Sequence, residues 1–215
     1  VACGDADGAV TGNTRRFGAS LSKINQVVEA RSGEVMFGLN LVVHKGKTIF
    51  VGDTSVHEYP TSEQMAEIAI SAARVVRLFG FDPKVAFVSH STFGQPLTNR
   101  TRHIKTAVEI LKNKNVDFEF DGDMQPDVAL DKEYKNLYPF SKIVGNANIL
   151  IMPGQHSAAI SYKMMKTLGD TKVIGPLLIG LGLPIEIAPL RSSTSEILNL
   201  ASIAAYSADI IDYKK

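Results

Sequence analysis

Residues 147–175 read "ANILIMPGQHSAAISYKMMKTLGDTKVIG", and the fold turns on what this stretch can be. Ile149, Leu150, Ile151 and Met152 follow one another with no polar alternation. A strand with one wet face alternates; an unbroken apolar run belongs to a strand covered on both faces, the situation of a parallel sheet. Pro153 and Gly154 stop the run. The next dozen residues carry a helix that Gly169 ends, and "TKVIG" (171–175) reads as another strand. Strand, helix, strand calls for a crossover connection. The expected fold class is therefore α/β, an α/β/α sandwich built on a mainly parallel sheet.

Working outward, the same alternation holds from Lys84. "KVAFVS" (84–89) is a short buried strand, and "TNRTRHIKTAVEILKNK" (98–114) is a basic helix with Ile104, Ala107, Val108 and Leu111 inward. "VDFEF" (116–120) is a strand, "DVALDKEYKNLY" (127–138) a helix ended by Pro139, and 192–211 the last helix. Upstream, "PTSEQMAEIAISAARVVRLFG" (60–80) has a Thr61–Gln64 capping box, apolar residues at helical spacing and a terminal Gly80. "VMFGLNLVVHKGKTIFVGD" (35–53) reads as a hairpin turning at Lys45-Gly46. Residues 13–30 can form a helix with Phe17, Leu21, Ile24 and Val28 on one stripe. In open α/β sheets ligands sit beyond the carboxyl ends of the strands. The informative loops are then those after Val88, Met152 and Gly175 and the one before Ser192.

The chain has 215 residues, 45% of them hydrophobic and 21% charged, enough to bury a core without staples. Lys+Arg and Asp+Glu nearly cancel, 23 against 22. That balance argues against broad attraction to nucleic acid or membrane, so an anion must be held by a local cluster of charge. The single cysteine, Cys3, excludes an intramolecular disulfide, fits a cytoplasmic setting and reads as a small buried residue. Neither a signal peptide nor an apolar run long enough to span a bilayer is found. "VIGPLLIGLGLPIEIAPL" (173–190) is broken by glycines and prolines and reads as buried strand and turns. The chain begins inside what looks like ongoing structure, and a fragment is expected.

Three loops offer ligand contacts. Ser91, Thr92 and Gly94 in "SHSTFGQP" supply hydroxyls and close backbone approach, with neither a Walker A run nor a dinucleotide fingerprint. Gln155, His156 and Ser157 stand where a helix begins, and Lys163 and Lys166 lie further along it. "PLRSSTSEILNL" (189–200) places Arg191, Ser192 and Ser193 at the first turn of the last helix. Such a turn caps the helix and can also hold a phosphate on free N–H groups and a guanidinium. "GDADGAVTG" (4–12) lacks the oxygen ligands of a calcium loop, and the five histidines show no metal-site spacing. No metal and no catalytic residue is assigned.

Taken together, these pieces resemble the phosphate acetyl/butyryl transferase family. The matching stretches are "GDADGAVTG", "VGDTSVHEYPTSEQMAEIAISAA", "PKVAFVSHSTFG", "FDGDMQPDVALD", "GNANILIMPGQHSAAISYKMMKTLG" and "VIGPLLIGLGLPIEI", nearly the whole chain. The resemblance implies a two-part α/β/α fold similar to isocitrate and isopropylmalate dehydrogenases. It implies a first subdomain of about 1–60 and 185–215 and a second of about 61–184. It also implies an acyl-CoA cleft between them, a homodimer or higher homo-oligomer, and about a further hundred residues upstream, in line with ordinary domain sizes. "SHSTFG" and "EILNLASIAA" are similar to the C-terminal branch found in bacterial multidomain NADP-dependent malic enzymes.

The resemblance also carries a departure. Active members have a serine-arginine-glycine run after the last strand and an aspartate several residues on, which assist thiol attack and stabilise developing charge. Aligned from Pro184, this chain has Pro189 and Leu190 for the serine and arginine, with Ser195 or Glu196 near the aspartate. Missing a positioned acid/base group slows a reaction about 10²- to 10⁴-fold. The expectation is a regulatory and dimerisation domain that binds acetyl-CoA as effector and lacks transacetylase chemistry. NADP and a divalent metal would belong to a malate-decarboxylating part of the protein. The alternatives are an active acyltransferase with an altered run and an assembly module with an empty cleft.

Overall fold

The structure is a computed structural model that describes residues 1–94 and 97–210. Its larger sheet contains β2 (Phe37–His44), β3 (Lys47–Gly52), β4 (Lys84–Val88), β5 (Glu119–Met124), β6 (Ile149–Ile151) and β7 (Thr171–Ile179), in the order β5-β4-β6-β3-β2-β7. β3, β6, β4 and β5 run parallel, and β2 runs antiparallel to both of its neighbours. The 149–152 run behaves as its composition requires. Ile149 and Ile151 join the core on one face of the sheet, and Leu150 and Met152 join the core on the other. All four are buried.

On the first face pack α2 (Ser62–Leu78) and α3 (Asn99–Asn113). The Thr61 hydroxyl accepts from Gln64 N–H at 3.2 Å and the Gln64 amide oxygen from Thr61 N–H at 2.8 Å, so the predicted capping box is present. Met65, Ile68, Ala69, Ala72 and Val76 then pack on Phe37, Phe50 and Phe87. The second face is covered by α4 (Pro126–Leu130) and α6 (Gln155–Leu168). Between β2 and β3 the turn residues Lys45 and Gly46 both have positive φ, 47° and 77°, as a two-residue hairpin with strand-matched twist demands.

A separate pair, β1 (Ala9–Gly12) and β8 (Ile185–Ala188), runs parallel and packs with α1 (Phe17–Ile24) and α7 (Thr194–Ile210). The hairpin at 37–52 pairs with β6 through β3 and with β7 through β2, within the larger sheet. Among the described residues no helix is long and apolar enough to cross a membrane.

Several elements differ from the sequence reading. The helix expected at 13–30 ends at Ile24, although Val28 still joins Ile24 in one apolar cluster with Phe17 and Leu21 against it. The helix expected at 127–138 is two short ones, α4 and α5 (Lys132–Lys135). Asp131 divides them because its carboxylate accepts from Glu133 N–H at 2.9 Å, a cap in place of a helix interior. β5 lies further along than "VDFEF" and carries Asp121 and Asp123. β7 continues beyond Gly175 through Pro176, which an edge strand tolerates. Cys3 is exposed, not buried.

One acid is built into the junction of the two sheets. Glu186 on β8 is buried and accepts from Leu178 N–H of β7 at 2.9 Å. Burial pushes its carboxyl up to about 8, against the smaller lowering pull of that N–H. The folded protein keeps this proton where an unfolded chain has lost it, so stability falls as pH rises from about 4.5 to about 8 and levels above. Glu186→Gln, which preserves an acceptor for Leu178, is expected to flatten that fall. Urea unfolding at pH 5 and pH 8 should show the variant gaining on the parent by on the order of 2 kcal/mol across the interval.

Candidate functional site

The carboxyl ends of β3, β4, β5 and β6 lie along one edge of the larger sheet, and the loops leaving them are joined by a few buried acids. Asp53, directly after β3, is 2% exposed. One carboxylate oxygen accepts from the N–H groups of Gly38 (2.8 Å), Ser55 (3.0 Å) and Val56 (3.2 Å). The other accepts from His57 N–H at 2.8 Å and lies 2.8 Å from His57 Nδ1. Asp53 thus draws the 53–57 loop around itself and fixes the His57 ring.

Asp123, at the carboxyl end of β5, does the same for the loop after β4. The Ser91 hydroxyl donates to its Oδ2, Gly94 N–H to its Oδ1 at 2.9 Å, and Phe93 N–H to its carbonyl at 2.7 Å. Thr92 accepts from Gln125 N–H at 3.2 Å. The hydroxyls of Ser91 and Thr92 and the N–H groups of Ser91 and Gly94 therefore hold the protein's own groups. Ser91 is fully buried and Thr92 is 9% exposed, so these two residues form part of a wall.

The second loop opens outward. Gly154 comes against the Glu58 carbonyl, where a side chain's Cβ would lie 2.6 Å from that oxygen, so only glycine fits. Gln155 N–H donates to the same carbonyl at 3.3 Å. His156 is exposed, stacks on Tyr59 with 6.4 Å between centroids, and lies 3.5 Å from Glu58. Arg100, at the start of α3, covers Tyr59 at 4.8 Å. Ser157 donates to Gly154 O at 2.8 Å. α6 begins with no side-chain cap and no acid in its first turn, which leaves the positive end of its dipole open to an anion. Lys163 is exposed, its ammonium 5.9 Å from the Tyr162 ring centroid.

The third loop is organised differently. Ser193 and Glu196 form a reciprocal cap on α7: the carboxylate accepts from Ser193 N–H at 2.7 Å and its hydroxyl at 2.9 Å, and Glu196 N–H reaches the hydroxyl at 3.3 Å. Lys166 of α6 pairs with Glu196 at 2.7 Å. The Lys166 hydrogen bond, then the Ser193 N–H, holds the Glu196 carboxyl below the usual range. Ser192 N–H and hydroxyl both donate to Pro189 O. Arg191 is exposed and sits at φ 61°. The helix thus binds its own carboxylate at the end where a phosphate was a candidate. Lys166 joins loops two and three, with Ser157 about 14 Å back along α6.

Sequence reasoning missed Asp53, His57, Glu58, Tyr59, Arg100 and Asp123. One signal was available: Gly52-Asp53 and Gly122-Asp123 each put an acid directly after glycine at a strand's carboxyl end.

Comparison with known proteins gives a consistent result. The family model "Phosphate acetyl/butaryl transferase" matches residues 1–205. An NADP-dependent malic enzyme of Rhizobium meliloti is 45% identical over 208 residues, 97% of this chain and 27% of the relative. A phosphate acetyltransferase of Clostridium acetobutylicum is 33% identical, with 95% of this chain and 64% of the relative covered. Among solved structures, a phosphotransacetylase from Streptococcus pyogenes superposes with a TM-score of 0.91 at 31% identity, over 97% of this chain and 65% of that one. The chain thus spans about a quarter of the malic enzyme and just under two thirds of the phosphate acetyltransferase.

Proposed function

We propose, because this chain belongs to the phosphate acetyl/butaryl transferase family, that it binds an acyl-CoA and does not transfer its acyl group. The observation that carries this reading is the backbone at 189–191. In the serine-arginine-glycine run that the resemblance implies, glycine suits a left-handed conformation. Here that conformation, φ 61°, falls on Arg191. The turn is kept, Arg191 takes the glycine's place, and the arginine's place holds Leu190, half-exposed and uncharged. Pro189 has no hydroxyl to offer. Glu196, near the place of the aspartate, is engaged by Ser193 and Lys166.

Binding asks for less than catalysis. The uncapped start of α6, His156, Gln155, Lys163, Arg191 and Ser192 can meet phosphate and amide groups of the carrier, while Ser91, Thr92 and Gly94 shape the wall. In this reading the domain dimerises and serves an NADP-dependent malic enzyme as its acetyl-CoA sensor, with NADP and the divalent metal held elsewhere in that protein. Acetyl-CoA lies downstream of pyruvate, so inhibition by it would be feedback. Such control requires different affinity for two arrangements of the protein.

Titration calorimetry with acetyl-CoA tests the reading. Saturable heat is expected, weakened about tenfold by Arg191→Ala with Lys163→Ala, since each removes a charge-assisted contact. No heat and no thermal shift on folded protein would leave the empty assembly module as the better account.

A further inference from the structure

Beyond the loops just described, α3 and the outer edge of the larger sheet enclose a half-open cavity of about 430 Å³. It falls within the size range of small-molecule sites, about 300–1,000 Å³. Thr101, Lys105, Val108 and Lys112 line it from α3, and their spacing of four, three and four keeps them on one helical face. Lys142 contributes from the segment before β6, and Phe93 and Phe140 complete a wall.

The charges have a definite arrangement. Two acids face the cavity, Asp121 and Asp123, but both are buried and already satisfied. Asp121 accepts from Gly122 N–H at 3.0 Å and Lys142 N–H at 2.8 Å. Asp123 accepts from the Ser91 hydroxyl and Gly94 N–H. The ammonium groups of Lys105, Lys112 and Lys142 are exposed and have no ion pair among the described residues. Three free cations therefore stand around a pocket whose carboxylates are already hydrogen-bonded within the protein.

Beside them is an aromatic platform. Phe93 and Phe140 meet edge to face at 4.8 Å, and Phe140 is 64% exposed. Phe93 sits at φ 51°, a conformation unfavourable for a bulky residue and held here by the Phe93 and Gly94 N–H bonds to Asp123. The exposed Phe140 ring, backed by the half-buried Phe93 and set beside unpaired lysines, suits a flat base joined to more than one phosphate.

We propose that this cavity binds a purine nucleoside bisphosphate, the chemistry found at the end of coenzyme A remote from its thiol. The proposal rests on the acyl-CoA reading and assigns the carrier's nucleotide end to α3, Lys142 and Phe140. Gly94 then belongs to both halves of the binding surface: it fixes Asp123 and borders the nucleotide cavity.

The test titrates the protein with adenosine 3′,5′-bisphosphate, with adenosine and inorganic phosphate as separate arms, and then with acetyl-CoA. The bisphosphate is expected to bind more tightly than either arm and to weaken as salt is raised. The combined variant Lys105→Gln, Lys112→Gln, Lys142→Gln should lose at least about tenfold, and Phe140→Ala about fivefold or more. These side chains are exposed, so unchanged thermal midpoints verify folding. Equal affinity for inorganic phosphate and the bisphosphate, or full affinity in the triple variant, overturns the proposal. Acetyl-CoA binding that ignores the triple variant overturns it too while leaving the acyl-CoA reading intact. Bisphosphate binding without acetyl-CoA binding supports the nucleotide site and overturns that reading instead.

Discussion

Writing serine, arginine and glycine into the last turn (Pro189→Ser, Leu190→Arg, Arg191→Gly) is expected to raise thioester formation from acetyl phosphate and CoA by about 10²-fold or more over the unmodified protein. The backbone needed for the run already exists. Ala188 ends β8, Ser192 closes the turn onto Pro189 O, and position 191 is left-handed. Glycine there relieves the strain Arg191 now carries, and position 190 is half-exposed, so a guanidinium replaces Leu190 without burial. Thioester absorbance reads the outcome. A parent protein that already turns over briskly, and slows on Arg191→Gly alone, would make Arg191 the working cation and the domain an acyltransferase.

Asp53→Ala should have the largest effect on stability. The carboxylate accepts four backbone N–H groups and faces the His57 ring, at 2.8–3.2 Å, with only 2% of the residue exposed. Its removal leaves several buried donors unpaired. Each unsatisfied group is worth about 1–3 kcal/mol and water re-enters part of the space, so a loss of about 3–4 kcal/mol is expected in urea unfolding. Asp53→Asn keeps one acceptor oxygen and should lose about half as much. The 53–57 loop also supports Glu58, whose carbonyl seats Gly154. Amide hydrogen exchange in Asp53→Ala should therefore quicken at Ser55–His57 and also at Gln155, across the sheet edge. Faster exchange confined to the first loop would show that the two are not coupled.

The main elements were legible where one local cause sets the structure. The apolar run 149–152 could only be a doubly covered strand, Lys45-Gly46 could turn tightly, and Thr61 with Gln64 could cap α2. The 127–138 segment hides its break because its apolar spacing continues through Asp131, and the choice of cap over helix interior depends on one hydrogen bond. The candidate loops were found by their position beyond the strands, but the direction of their groups was hidden. Ser91 looks like a ligand hydroxyl in sequence. Its partner, Asp123, lies 32 residues away and takes the hydroxyl inward. Likewise Glu196 reads as an ordinary first-turn acid, and only the approach of Lys166 from α6 shows it held between two elements. Buried carboxylates set the site's shape, and burial is a property of packing that spacing along the chain does not reveal.

The most direct measurement places the protein with acetyl-CoA and inorganic phosphate in one sample. Equilibrium dialysis counts bound acetyl-CoA while a thiol reagent follows released CoA. Bound acetyl-CoA that stays intact, with thiol release at the rate of a protein-free control, is the expected result. Release of CoA matched by newly formed acetyl phosphate, at a rate proportional to protein concentration, would contradict it.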